Sequence, residues 1–541
     1  MNLLSSLNIS AGALSVNEKA ISVVSHNVSN MNTEGYHKQR VNLEARNIAG
    51  QIGDNPNNQV RANGGVKIAN VMRYNDDYLN NYYRQQLSEK NKLEQQLGNL
   101  DDLAKIFDDL EGQGIDGALG DFYEALNNLQ QYPASATART NFIERAKTLT
   151  STLNAKSVQL SKMTGEALGD GKTEESLKNS RIYTQYRDFN STLEELAAVN
   201  KALQTTQTGT LTANNLLDKR DLILHDMSQY VDLNVEEHAN GTVDVSVGDT
   251  PLVKSTKIVG QLDIETAAAY KQRTGLDSKE AAVINIVQIE EDGSKSYIKN
   301  NANDDIQGGS IGGLLHFGTD NQDGQVTAGS VQTSLDKLAQ TVAKIFNELN
   351  TAYDSTNGYA YKINASKTDE LEATTPDNDM FSAKIVNADG SVTESHNVDD
   401  ITAGNIRVSS NLLKTDGIWN IACAHFDTPD VDVHAVGNAQ NVIKMLGTRT
   451  EKQADLQNMS IEDFYSSMVG GIAAAGDSTR TLYETQVDVV DSLENQLDSA
   501  YGVDLNEELV DLVKYQTAYA AAAQVFNVVN SCLDTLMSLG R

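Results

Sequence analysis

Four stretches of this chain carry residue types that could do chemistry. "TGEALGDGKT" at 164–173 approaches a phosphate-cradling loop. That loop needs a Gly five residues before the Gly of Gly-Lys-Thr, so that backbone N–H groups can wrap the phosphates. Glu166 stands there instead, and its carboxylate repels a phosphate, so a turn between helices is expected. "TDNQDGQVTAGS" at 319–330 resembles a calcium loop, but Thr319 and Ser330 fall where carboxylate ligands belong. Cys423, His425, Asp427 and His434 have metal-ligand side chains, yet their spacing fits no common zinc pattern. "GGSIGGLL" at 308–315 lacks the strand-to-helix setting of a dinucleotide loop. No nucleophile–base spacing stands out among the eight histidines. The expectation is a protein with no metal, no cofactor and no enzymatic activity.

Composition narrows the partners. A net charge of −31 argues against nucleic acid and against anionic membrane, since both repel such a surface. The ends are nearly neutral, so the charge lies on the middle of the chain. Two cysteines, Cys423 and Cys532, form no disulfide framework and are expected to be inert thiols. No apolar run reaches the roughly 18 residues of a membrane span, and "MNLLSSLNIS" does not read as a cleavable signal peptide. Such a protein is either cytoplasmic or leaves the cell by a route that reads no such signal.

Elements follow from periodicity. Leu3, Leu7, Ser10, Leu14, Asn17, Ile21, Val24, Val28 and Met31 alternate steps of four and three, a narrow coiled-coil seam. Leu505, Leu509, Leu512, Gln516, Tyr519, Ala523, Phe526, Asn530, Leu533 and Met537 keep the same step at the other end. One such seam gains too little to offset its ordering entropy, so the two are expected to pair, with each other and with copies in neighbouring subunits. Between them the pattern predicts long helices from about 79 to 230, with Pro133 as a break. From 231 the period changes to two around the Asn240-Gly241 turn, and "SLDKLAQTVAKIFNELN" returns to helix. Residues 353–435 read as turn-rich and strand-like, and helix resumes near 438.

The resulting fold class is mainly α with inserted β domains (α+β). Its expected parts are a terminal coiled-coil domain (1–45 with 505–541), a helical bundle (46–230 with 330–352 and 436–504), a β-rich segment (231–329) and an outer β-rich insertion (353–435).

The string "SHNVSNMNTEGYHKQR" at 25–40 closes the first seam. Asn30, Asn32 and Gly35 are suited to the positive φ of a chain reversal, Tyr36 to an aromatic anchor, and Lys38 and Arg40 to a basic edge. Asn27, Asn30, Asn32, Thr33, Gly35, Tyr36, Gln39 and Arg40, with Gln516 near the other end, resemble the signature of the bacterial flagellar rod, hook and hook-associated proteins. Glu34 departs from it where the family usually has Pro. The segments 214–237, "GGSIGGLLHFGTDNQ" and "AGNIRVSSNL" resemble the members that join hook to filament.

The resemblance implies a secreted structural protein of the extracellular flagellum, exported through the flagellar type III channel and assembled as a ring of its own copies. It further implies hook protein below, a second junction protein above, and an export chaperone on the C-terminal helix. The subunit interface would then fall on Leu3, Leu7, Leu14, Ile21, Val24, Val28 and Met31, with Leu505, Leu509, Leu512, Tyr519, Phe526, Leu533 and Met537. Another axial component (hook, distal rod or flagellin-like) or a secreted surface adhesin is the alternative.

Overall fold

A computed structural model describes residues 3–48, 62–108, 113–318, 325–354, 358–387, 389–429 and 431–539. Helix α1 (Leu3–Asn30) runs into an antiparallel hairpin of β1 (Gln39–Ile48) and β2 (Ala62–Arg73). Helices α2 (Asp77–Phe107), α3 (Gly114–Gln131), α4 (Ala136–Leu168), the short α5 (Glu174–Lys178), α6 (Arg181–Thr205) and α7 (Leu211–Ser228) follow. Their starts are chemically marked. Asp76 accepts from the Leu79 N–H to cap α2, and Ser135 and Ser180 cap α4 and α6 in the same way.

The chain then turns to β-structure. Strands β3 (Asn234–Glu237), β4 (Val243–Val247), β5 (Thr250–Lys254) and β6 (Lys257–Ile258) form a meander, with Gly241 at φ +82° in the first turn. Strand β7 (Gln261–Thr266), helix α8 (Ala267–Thr274), and strands β8 (Ala282–Ile289) and β9 (Lys295–Lys299) make a second small sheet. The Gly-rich run at 308–315 lies mostly in helix α9 (Gly309–Gly318), which packs on α2. The next long helix is α10 (Ala328–Thr351), opened by a reciprocal Thr327–Ser330 capping box.

Residues 353–435 divide into two sheets rather than forming one outer unit. Strands β10 (Tyr353–Asp354), β11 (Gly358–Asn364) and β12 (Lys367–Ala373) pair in one, and β13 (Phe381–Val386), β14 (Val392–Ser395) and β15 (Ile406–Val408) in the other. After helix α11 (Ser410–Leu413), β16 (Ala424–Phe426) returns to pair with β11. The second sheet is anchored inward, because Phe381, Ala383, Ile406 and Val408 all join the main core. The helical end of the chain has two breaks: α12 (Gln440–Gly447), α13 (Ile461–Tyr501) and α14 (Leu505–Leu539).

That core is continuous from the helices into three of the sheets, those of β3–β6, β7–β9 and β13–β15. At its centre Phe122 stacks within 5.1 Å of Phe142 and 5.0 Å of Phe346, with Tyr123 and Phe381 around them. Ala20, Val23, Val41 and Val71 form a separate small cluster between α1 and the hairpin. Burying a side chain such as Val23 contributes about 1.5–3 kcal/mol, so the terminal unit rests on far less apolar burial than the bundle.

Candidate subunit interface at the joined ends

Helix α1 packs on α14 on one side and on the hairpin on another. Of the N-terminal seam, Val24 is buried, Leu3, Leu7, Leu14, Ile21 and Val28 are half-buried, and Met31 is exposed. Of the C-terminal seam, Leu512, Phe526 and Leu533 are half-buried, while Leu505, Leu509, Gln516, Tyr519 and Met537 are exposed. Two faces were missed at the level of sequence. Val16, Ala20, Val23 and Asn27 are the deeply buried face of α1, interleaved with the seam at the same three–four spacing. On α14, Val510, Val513, Val525, Val528 and Leu536 form an outward apolar face, with Val510 68% and Val528 63% exposed.

The signature string is the joint between these parts. Asn27, 1% exposed, donates through its amide to the Gln39 carbonyl and to the Glu508 carboxylate, both at 2.9 Å. Its Oδ1 accepts from the Tyr36 hydroxyl (2.8 Å) and the Gln39 N–H (3.1 Å). Burial, with Asp218 and Glu508 nearby, pushes the Tyr36 phenol well above its usual range, so it remains a donor. Gln39 is gripped from α7, accepting from Asn214 at 2.9 Å and donating to Asn215 at 3.2 Å.

The reversal itself needs positive φ only at Gly35 (+70°); Asn30 and Asn32, expected to share it, have ordinary φ. Asn30 instead donates back to the His26 carbonyl, and the Thr33 and Tyr36 N–H groups close successive turns, which carries the chain round with Gly35 as its one left-handed residue. Asn32 and Thr33 are exposed. Arg40 is exposed on a groove of about 490 Å³ shared with Met72, Tyr74, Lys514 and Tyr515. Lys38, by contrast, pairs with Glu507 at 2.5 Å and Glu508 at 3.4 Å. Burial lowers its pKa, and the two carboxylates outweigh that and raise it overall.

Beneath the turn lies an ionic hub. His37 stacks on Tyr501 at the end of α13, with ring centroids 4.5 Å apart, and its Nδ1 is 2.9 Å from Asp218. Arg73 of β2 donates to Asp218 at 2.7 Å and to Asp221 at 2.6 Å, and Arg220 holds the other oxygen of Asp221. Burial opposes the charge of Asp221, but Arg220 and Arg73 hold it well below the usual carboxylate range. The Lys38 N–H donates to the Tyr501 carbonyl at 2.8 Å. Gly502 then permits the elbow into α14, since a Cβ there would lie 2.2 Å from the Asp498 carbonyl oxygen.

The residues first weighed for chemistry have other partners. Asp170 Oδ1 accepts from the Lys172 and Thr173 N–H groups, filling its own loop with a carboxylate. Cys423 is buried with its Sγ 3.1 Å from Arg139 Nη2, His425 accepts from Lys444 at 2.6 Å, and His434 lies against the Asp369 carbonyl. Cys532, expected to be inert, is exposed on α14. Positions 319–324 of the calcium-like stretch lie outside the described residues.

Paired terminal helices, clamped by one turn, close the chain around an inserted body, so its two ends form a single structural unit. Comparisons agree. Residues 100–360 match the family model of the flagellar hook-associated protein FlgK helical domain. Residues 7–37 match the flagella basal body rod protein model, and 494–539 the flagellar basal body rod FlgEFG protein C-terminal model. Flagellar hook-associated protein 1 of Bacillus subtilis is 25% identical, covering 97% of this chain and 96% of that one. The protein of that name from Salmonella typhimurium is 24% identical over 98% and 99%. The flagellar hook junction protein FlgK from Burkholderia pseudomallei shares the fold, with a TM-score of 0.54 at 15% identity, covering 77% of this chain and all of that one. Along nearly its whole length the chain is similar to flagellar hook-associated proteins, with rod-protein models matching at its two ends.

Proposed function

We propose that this chain is a structural subunit joining hook to filament in the bacterial flagellum, assembling through its terminal helices into a ring of copies. The observation that carries this reading is the outward apolar face of α14, Val510, Val513, Val525, Val528 and Leu536, left facing solvent in the single chain. A soluble surface rarely keeps such a long stripe without a partner. The seam residues Leu505, Leu509, Tyr519 and Met537 add to it, and in this reading neighbouring α1 and α14 helices cover them all. Hook protein lies on one side of the ring and a second junction protein on the other. Before export a chaperone holds α14 at Leu509, Leu512, Tyr519, Phe526 and Leu533, and the protein then works outside the cell. Deletion is the test. Loss of filaments with hooks intact, and flagellin shed into the medium, is expected; filaments on hooks in the deletion strain would refute the reading.

A further inference from the structure

Arg84 of α2 is only 8% exposed, and no carboxylate among the described residues bonds it. Among the described residues its guanidinium donates to the Asn81 side chain alone. Of the nearby acids, Asp221 is committed to Arg73 and Arg220 and Glu237 to Arg220, while the exposed Asp77 acts on Arg84 only through space. The contrast with Arg220 is direct. Burial lowers both pKa values, but Asp221 and Glu237 restore and raise that of Arg220, while Arg84 stays depressed. A buried cation without a bonded anion is costly, so natural proteins pair it.

On one side Arg84 lines a groove of about 380 Å³ with Tyr78, Asn81, Tyr82, Gln85, Asn234 and Val235. Arg84 is the only charged side chain in that lining. Tyr78 and Tyr82, one turn apart on α2, hold their rings nearly parallel with centroids 6.4 Å apart, and Tyr78 is 79% exposed. A planar fork of donors flanked by amides and open aromatic faces suits a carboxylate on a short apolar stem.

The same chain presents such carboxylates. Between Arg480 and Lys514 there is no basic residue, and Glu484, Asp488, Asp491, Glu494 and Asp498 follow steps of four and three along α13. That is one helix face about 21 Å long. All five are exposed, and none has an ion-pair partner among the described residues.

We propose that the Arg84 groove of one copy receives a carboxylate from the acidic α13 face of a second copy. The contact is heterologous, each copy giving one face and receiving the other, which is the kind of interface that closes rings or extends helically. The inference rests on the assembly reading above and adds to it a lateral contact away from the terminal helices.

The test uses assembled flagella carrying the full chain in a Cys532→Ser background. Flagella assembled from a mixture of Gln85→Cys copies and Asp491→Cys copies are expected to give cross-linked pairs with a short bismaleimide, which the α2–α13 packing within one copy cannot mimic, and Val528→Cys to report separately on the terminal helices. In the cross-linking pair, Arg84→Glu is expected to cut the yield about tenfold, the worth of one charge-assisted pair. Adding Glu494→Arg with Asp488→Arg is expected to restore it. In purified monomer, Arg84→Met is expected to leave the melting temperature unchanged or higher, because no bonded ion pair is lost. Terminal-helix cross-links without Gln85–Asp491 cross-links overturn this proposal alone; absence of both overturns it together with the assembly reading. A loss that the swapped charges do not restore means another occupant fills the groove and also overturns it. So does a lower monomer melting temperature with cross-linking intact, which makes Arg84 a structural residue.

Discussion

Asn27 uses both atoms of its amide to join the consecutive end of α1, signature turn and β1 to the distant α14. Asn27→Ala would strand the Gln39 N–H and carbonyl, each loss costing about 1–3 kcal/mol, and leave the Tyr36 hydroxyl only its His26 partner. The terminal unit should therefore melt earlier while the bundle is unchanged, as near- and far-UV dichroism would report. His225 makes a second prediction at this scale. It sits edge-on to Tyr83 with its Nε2 sealed from solvent, and burial, with Arg84 adding to it, lowers its pKa to about 4. The folded state thus disfavours the charged form. Stability from this site is full above the unfolded pKa near 6.5 and falls as pH drops from there to 4, by at most about 3 kcal/mol. His225→Gln should flatten that part of a stability–pH curve measured by urea titration; an unchanged slope would assign it to other groups.

At the scale of elements, α14 carries two apolar faces where a helix in an ordinary core needs one. Val513→Asp with Val528→Asp should leave monomer melting within about 0.5 kcal/mol, as surface changes do, yet abolish incorporation into flagella, as immunoblots of sheared filaments would show. The seams themselves were readable, because a repeat of 3.5 survives without any knowledge of partners. What faced what was not. Ala20 and Val23 interleave with the seam residues Ile21 and Val24, and only the hairpin's position shows which face goes deepest. The hairpin was itself hidden, since "RANGGVKIANVMR" has Gly and Asn where strand-forming residues would signal it. The role of Asn27 lay beyond local pattern, with partners at 36, 39 and 508.

Over the whole molecule, apolar burial is unequal. One core unites the helices with the adjoining sheets, whereas the terminal unit has only a small cluster of its own together with the hub around Arg73, Asp218 and Asp221. Heating should therefore give two transitions, the terminal unit first. Limited proteolysis of the monomer should trim α14 before it cuts the bundle, and a single coincident transition by all probes would contradict this.

The bond between Asn27 and Glu508 spans 481 residues of sequence. Until both ends of the chain are present, each lacks the partner that completes it. A half-delivered or truncated subunit has no joint to offer its neighbours, so the closing of that one contact is a completeness check: only a chain that has fully arrived can take its place in the structure.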